Sequence, residues 1–284
     1  MQNKSVMLAI KQCGEKLTSA ERKVTEYILN NSEKTVTISA SELAAAVSVA
    51  PSAVIRCCKS LGFSGYSELK IALSAELSKN KALNYVPYIY PHDGSGEILD
   101  KIFSANIKTL HDTAEHIDRV TLQKAVDLLS DAKTVYIYGV GTSGAIVNDF
   151  QYRLMQIGIT ALCFTDIVSM KLSAVNMKKG DVAVGISHSG RTEATVDALK
   201  HAKENGAVTV AITGFPDSVI TRVSDYSIGI YSDEIRYPIE AISARIAHIS
   251  VIDAIATAIS AKNYQEAERR SRLTRELTDT VRYK

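Results

Sequence analysis

The sequence predicts an α/β protein in two parts: an all-α N-terminal module with a helix-turn-helix pattern, then a five-stranded parallel-sheet α/β domain. Three observations predict it. Beyond Thr134, five short apolar runs alternate with helix-length segments, the pattern of strands covered on both faces. Two of those runs end in Gly- and Ser-rich turns that open helices. Before them, Asn80 to Gly96 holds Pro87, Pro91, Gly94 and Gly96 among Tyr85, Tyr88 and Tyr90, a density that marks an interdomain linker or a segment docked by its tyrosines.

In chain order, Met1 to Leu17 reads as a first helix, with Val6, Ile10, Cys13 and Leu17 at helical intervals. Thr18-Ser19-Ala20-Glu21 is a capped restart, a hydroxyl followed by a first-turn carboxylate. The helix it opens carries Val24, Tyr27 and Ile28 inward and ends near Asn30-Asn31. Ser39 to Val47 is a short helix rich in small residues, and Ser48-Val49 is a tight turn. Pro51, tolerated at a first helical position, opens Ser52 to Leu61, which Gly62 closes.

Two short helices across a brief turn form a helix-turn-helix pattern. Ala44 and Ala45 leave room for the second helix to cross closely. Val49, Val54 and Leu61 are expected to pack, and Ser52, Ala53, Arg56 and Lys59 to face outward. In a major groove, Ser52 and Ala53 would enter first, Arg56 would reach a base edge or phosphate, and Lys59 a phosphate. A plain helical hairpin with a solvated basic face fits the same pattern.

Glu97 to His116 is expected to be helical with Ile98, Ile102, Ala105 and Leu110 inward, and Thr121 to Ala132 forms a further helix. The strands are Val135–Tyr138, Ala161–Phe164, Val182–Ile186, Val208–Ile212 and Ser227–Tyr231. Ile239 to Ala261 is a long apolar helix carrying Glu240, Ser243, Arg245 and His248. The tail from Glu266 to Lys284 is charge-rich, a solvated or partner-packing helix. These elements divide the chain at 1–79, 80–120, 121–264 and 265–284.

The third strand stops at Ser187-His188-Ser189-Gly190, and a helical pattern follows with Ala194, Ala198 and Leu199 on one face. Free N–H groups and the helix dipole face that turn, and Ser187, Ser189 and Thr192 add hydroxyls. A phosphate is the natural ligand, although Ser and Gly also serve as plain caps and turn residues. The first strand likewise runs into Gly139-Val140-Gly141-Thr142-Ser143-Gly144 and a helix through Ala145, Val147, Phe150, Leu154 and Ile157. The glycine spacing is that of a dinucleotide fingerprint, but hydroxyls between the glycines suit a sugar phosphate better than a pyrophosphate, so NAD ranks behind.

Gly139-x-Gly141-x-Ser143 followed by Ser187-x-Ser189-Gly190-x-Thr192 resembles the sugar isomerase (SIS) domain, a flavodoxin-like sandwich. The resemblance implies that the second loop wraps a phosphosugar's phosphate and the first helps hold the sugar. The implied effector site is Gly141, Thr142, Ser143, Ser187, His188, Ser189, Gly190, Thr192 and Glu240. The run Val54 to Lys70, with Arg56, Lys59, Gly62-Phe63, Gly65-Tyr66 and Glu68-Leu69-Lys70, resembles the RpiR-type helix-turn-helix. The segment from Ser243 to Asp253 resembles the late helix of the same regulators. Pro51, Ala53 and Cys57 depart from the usual pattern, which bears on the operator sequence rather than the fold.

The implied protein is a DNA-binding transcriptional regulator, a repressor, of a carbohydrate-utilisation operon, controlled by a sugar phosphate. Paired half-sites imply a dimer or tetramer. A phosphosugar aldose–ketose isomerase is the competing reading, with His188, Glu193 or Glu240 as the base; against it, His188 reads as an exposed loop residue. A sugar-phosphate sensor acting only through protein partners is a third reading. No catalytic residue, cofactor or metal is expected. Cys13, Cys57, Cys58 and Cys163 make no zinc-like pairs, and His111 and His116 stand five apart. A net charge of +2 argues against bulk capture of nucleic acid but leaves room for a local basic face. With no apolar run of membrane-spanning length and no signal-type segment, a cytoplasmic protein without membrane contact is expected.

Overall fold

A computed structural model describes residues 5–13, 17–82, 89–232 and 242–278, and the chain divides into two compact units, one running to Lys108 and one from Thr109 onward.

The first unit is helical: α1 (Val6–Cys13), α2 (Ser19–Asn30), α3 (Ser32–Thr35), α4 (Ala40–Ala46), α5 (Pro51–Ser60) and α6 (Tyr66–Ala82). Capping boxes set two of the starts. Thr18 and Glu21 satisfy each other's backbone at α2, as Ser39 and Glu42 do at α4. Val24, Ile28, Leu43, Val54, Leu61, Phe63, Leu69 and Leu73 form the core. α1 is described from Val6 to Cys13; Leu17 lies outside the helix, and the rest of the expected Met1–Leu17 helix lies outside the described residues. α3 is not foreseen by the sequence, because one turn of Ser-Glu-Lys-Thr has no apolar period to read. Glu76 on α6 is buried and caps α1 from across the chain, accepting from Ser5 Oγ at 2.7 Å and Val6 N at 2.8 Å. Its burial pushes that carboxyl up from its usual range.

α7 (Ser95–His116) leads into the second unit's elements: α8 (Arg119–Ser130), β1 (Val135–Tyr138), α9 (Thr142–Gln156), β2 (Ala161–Phe164), α10 (Ile167–Ala174), β3 (Val182–Ile186), α11 (Glu193–Glu204), β4 (Val208–Thr213), α12 (Val219–Val223), β5 (Tyr226–Gly229), α13 (Ile242–Lys262) and α14 (Tyr264–Thr278). The sheet has five parallel strands in the order β2-β1-β3-β4-β5. Alternate side chains go to opposite faces. Val135, Ile137, Val182, Val184, Val210 and Ile212 pack with Phe150 and Leu154 of α9, Leu129 of α8, and Val251, Ile252 and Ile255 of α13. Tyr138, Ala183 and Ala211 pack instead with Met170, Leu199 and Ile220 of α10, α11 and α12. Each large side chain so buried contributes about 2–3 kcal/mol.

Three expectations need correction. β5 starts and ends earlier than Ser227–Tyr231, because its partner β4 runs out at Thr213, which pairs with Gly229. Ala145 is exposed, and Ile146 takes the inward place beside Val147. α13 is long and apolar enough to cross a membrane by composition, contrary to the sequence reading. Its Ala247, Val251, Ile252, Ile255 and Ile259 lie inside the core.

Candidate functional site

The strand order places β1 and β3 side by side, although β2 lies between them in sequence. That reversal is a topological switch point, and the loops leaving the C-terminal ends of β1 and β3 flank the crevice it opens. The two loops start at one level. A Cβ on Gly139 would lie 3.0 Å from the Ile186 carbonyl oxygen and 2.8 Å from Val147 Cγ2, so only glycine lets β1 pass β3 there.

The β3 loop is held from several sides. Ser187 N donates to Ile212 O at 3.1 Å, and Gly214 N donates to His188 O at 2.9 Å. Thr213 Oγ1 donates to the same carbonyl at 3.2 Å. Gly190 N donates to Ser187 O and Oγ, and Ile220 N donates to Gly190 O at 3.0 Å. Gly190 has φ +64°, and a Cβ there would meet Ser218 Oγ, so the turn closes only on glycine. Thr192 stands at the N-cap of α11 but does not cap it. Its hydroxyl lies 3.1 Å from Ser187 Oγ instead, leaving the first-turn N–H groups without a side-chain acceptor.

The β1 loop reaches α9 through Gly141, with φ 60° and ψ −129°, again without a side-chain cap. Thr142 is exposed and Ser143 half-buried. Asp166, where a dinucleotide site would need a carboxylate for the ribose, caps α10 by accepting from Ser169 N at 2.9 Å. α2, α4, α8 and α10 start on side-chain caps. α9 and α11, at the switch point, do not, and neither do α3, α5 and α12.

His188 is not the exposed loop residue expected from the sequence. It is half-buried, with its ring 5.7 Å from Phe215 and 5.7 Å from His248, edge-on to both. Gly214 makes this possible, since a Cβ there would run into the imidazole. His248 on α13 is buried, its Nδ1 2.8 Å from the Ala244 carbonyl, and burial pushes its pKa down to about 4. Arg191, Glu193 and Arg245 are exposed, and Glu240 lies outside the described residues.

In the first unit, α4 and α5 meet at 103° across a turn where Ser48 takes φ 55° and Val49 N donates to Ala44 O. α5 begins on Ala50 and Pro51, with no side-chain cap. It ends in a Schellman motif: Gly62 N donates to Lys59 O and Phe63 N to Cys58 O. Ser52, Arg56 and Lys59 face outward as expected. Ala53 does not: it is 2% exposed and packs inward with Val54 and Cys57. Ala45, expected to pack, is exposed instead, so of the two alanines only Ala44 makes the close crossing. The outward position missed in the sequence is Ile55, one turn from Ser52 and from Lys59 on the same face. Buried Glu21 ties α5 to α2, accepting from Ser60 Oγ at 2.8 Å and from Thr18 N at 2.9 Å. The Thr18 hydrogen bonds, with Ser60 and Arg56 adding, hold its carboxyl below the usual range.

One group of metal-type side chains occurs among the described residues: His111, Asp112 and Glu115, on one turn of α7. Pairing of the imidazole with both carboxylates, at 3.7 and 3.6 Å, accounts for it.

A helix-turn-helix in one unit and a parallel sheet with a switch point in the other are the parts of a DNA-binding regulator with a second, α/β domain. The helix-turn-helix domain of the rpiR family matches residues 4–80, and the SIS domain matches residues 128–258. An HTH-type transcriptional regulator of Caldanaerobacter subterraneus subsp. tengcongensis is 32% identical over 93% of this chain and 93% of its own. The HTH-type transcriptional regulator HexR of Pseudomonas aeruginosa is 30% identical over 99% of this chain and 98% of its own. The Vibrio vulnificus NanR protein, solved in complex with ManNAc-6P, shares the fold with a TM-score of 0.63, at 24% identity over 99% of this chain and 100% of that one. The chain belongs to the RpiR family of HTH-type transcriptional regulators, a helix-turn-helix domain joined to an SIS domain, and is a regulator rather than an enzyme.

Proposed function

We propose that the protein is a cytoplasmic repressor of a carbohydrate-utilisation operon and that a sugar phosphate held between the β1 and β3 loops controls its grip on operator DNA. One observation carries the reading. The two helices that meet the switch-point crevice start without side-chain caps, and Thr192 turns its hydroxyl toward Ser187 rather than back onto α11. A phosphate would supply the missing acceptors, with Ser187, Ser189 and Thr192 donating hydroxyls and Gly190 and the α11 first turn lying against it. Gly141, Thr142 and Ser143 would border the sugar, with Glu240 a further candidate. NanR's complex with a sugar phosphate supports this choice of ligand.

Residues 1–79 would read DNA, with α5 in the major groove. Its uncapped N-terminus favours a phosphate at Ser52, while Arg56 and Lys59 reach phosphate or base edges. Ile55 offers an apolar contact for a thymine methyl. A homodimer or tetramer would present paired helices to two half-sites. The effector acts by binding one of two arrangements more tightly, so DNA lowers effector affinity by the factor that effector lowers DNA affinity.

The test has two arms. Thermal shift against inorganic phosphate and a panel of sugar phosphates should show about 2.7 kcal/mol of stabilisation at a hundredfold the Kd. Duplexes selected from a random pool should bind in the nanomolar range at moderate salt, and the best effector should weaken that binding. Arg56→Ala should lower affinity for every selected duplex and flatten log K against log salt by about 0.9 for each phosphate it no longer neutralises. Ile55→Ala should relax preference at one base pair only. Tight sugar-phosphate binding with unchanged DNA affinity would refute the control mechanism.

A further inference from the structure

His248 is buried on α13 with one nitrogen committed and one not. Nδ1 lies 2.8 Å from the carbonyl of Ala244 on the preceding turn, which fixes the proton on Nδ1 and leaves a lone pair on Nε2. Nε2 is fully buried and has no hydrogen-bond partner among the described residues. A buried acceptor without a donor is costly and rarely kept without a use. The ring's position supplies one. Across a 5.7 Å edge-on contact it meets His188, the residue directly after Ser187 in the β3 loop. Phe215 and the bare Cα of Gly214 back His188 from the end of β4. Three segments therefore bring an aromatic wall against one side of the loop, and the unsatisfied Nε2 in that wall can only accept. Burial keeps the ring neutral down to about pH 4, so the acceptor persists across the physiological range.

We infer that His248 Nε2 accepts a hydrogen bond from a sugar hydroxyl or amide N–H of the bound effector, and that this contact separates sugar phosphates from free phosphate and from sugars lacking a donor at that position. The inference rests on the effector site proposed above and deepens it. The β3 loop recognises the phosphate, and His248, which lies sealed and edge-on to His188, recognises the sugar once the His188 ring turns aside. A site arranged around a donor on its ligand discriminates far more sharply than one that only fits a shape, because the analogue without the donor leaves the buried acceptor unpaired.

Isosteric replacements separate the two nitrogens. His248→Asn retains a donor near Nδ1 for the Ala244 carbonyl and removes Nε2. His248→Gln places an amide oxygen near the Nε2 position. Calorimetric titration with inorganic phosphate, glucose 6-phosphate, ribose 5-phosphate and N-acetylmannosamine 6-phosphate should find at least one sugar phosphate bound more tightly than phosphate by the wild type. His248→Asn should lose about tenfold to hundredfold of that affinity and leave inorganic phosphate within about twofold, and His248→Gln should recover most of the loss. In the wild-type protein, the Nε2 nitrogen resonance should move on adding the sugar phosphate and stay put with inorganic phosphate, a readout that needs no variant to fold. If His248→Asn binds the sugar phosphate as the wild type does, if phosphate and sugar-phosphate affinities fall together, or if Nε2 does not move, the inference is overturned while the effector site stands. If the wild type binds neither phosphate nor any sugar phosphate, the effector site itself falls.

Discussion

The loops after β1 and β3 look alike in sequence, each a strand running into hydroxyls and a glycine at positive φ, yet they are built differently. The β3 loop is tied to β4 and α12 through Ser187, His188 and Gly190, and its glycine lies against Ser218. The β1 loop bends at Gly141, where an added Cβ would meet nothing within 4 Å, and Thr142 beyond it is exposed. At nearly equal φ, +64° and +60°, one glycine is demanded by packing and backbone together and the other by backbone alone. The difference teaches a division of labour. A loop whose backbone is braced before a ligand arrives would bind with little backbone reorganisation, whereas an open loop would be free to adapt to the rest of the ligand.

Substitutions can break or sharpen that contrast. The largest effect is expected from Gly190→Ala. Strain at positive φ and the collision with Ser218 should together cost roughly 3 kcal/mol or more, seen as a lowered Tm with phosphate binding abolished. Next comes acid. His248 has a folded pKa near 4 against 6.5 unfolded, so the fold holds the neutral form. Its contribution is full above pH 6.5 and is lost as pH falls toward 4, about 3 kcal/mol in all. Urea unfolding of the wild type across that range should show the loss, and His248→Gln should flatten it. Smaller again, Ser187→Ala with Ser189→Ala should weaken phosphate binding about tenfold to hundredfold, leaving unliganded DNA binding unchanged. Smallest is Gly141→Ala, about 1–2 kcal/mol of backbone strain with phosphate binding kept. Equal costs at Gly141 and Gly190 would erase the distinction between the loops.

Much of this was legible in the sequence, and the failures are physical. β1 and β3 could be bounded to the residue because each runs into a turn rich in glycine and serine, at Gly139 and at Ser187-His188-Ser189-Gly190, and β2 because Asp166 after it caps the next helix. β5 could not, because its end is set by where β4 stops rather than by anything in Tyr226 to Tyr231. The Ser-rich loops were visible because hydroxyls and glycine cluster locally. The His188–His248 contact was not, because a long stretch of chain separates two unremarkable imidazoles and only the packing of α13 beside the β3 loop joins them. Ala53 was misplaced and Ile55 overlooked for a simpler reason. The buried pairs Ala53-Val54 and Cys57-Cys58 set α5's rotation, and small side chains gave the sequence reading no firm apolar stripe from which to see it.

Thr192's turned hydroxyl has one more consequence, in competition rather than in affinity. If the proposed site holds a phosphate, a cradle of loop hydroxyls and uncapped N–H groups would take any phosphate, whatever is attached to it. Inside a cell, inorganic phosphate and the phosphates of unrelated metabolites would occupy it continuously, and every true effector would have to displace them. The concentration at which the regulator responds would then be set above the intrinsic Kd, in proportion to that background, and only the sugar-facing side of the site could lift one metabolite out of it. A buffer of sulfate or phosphate would hide the effector in the same way.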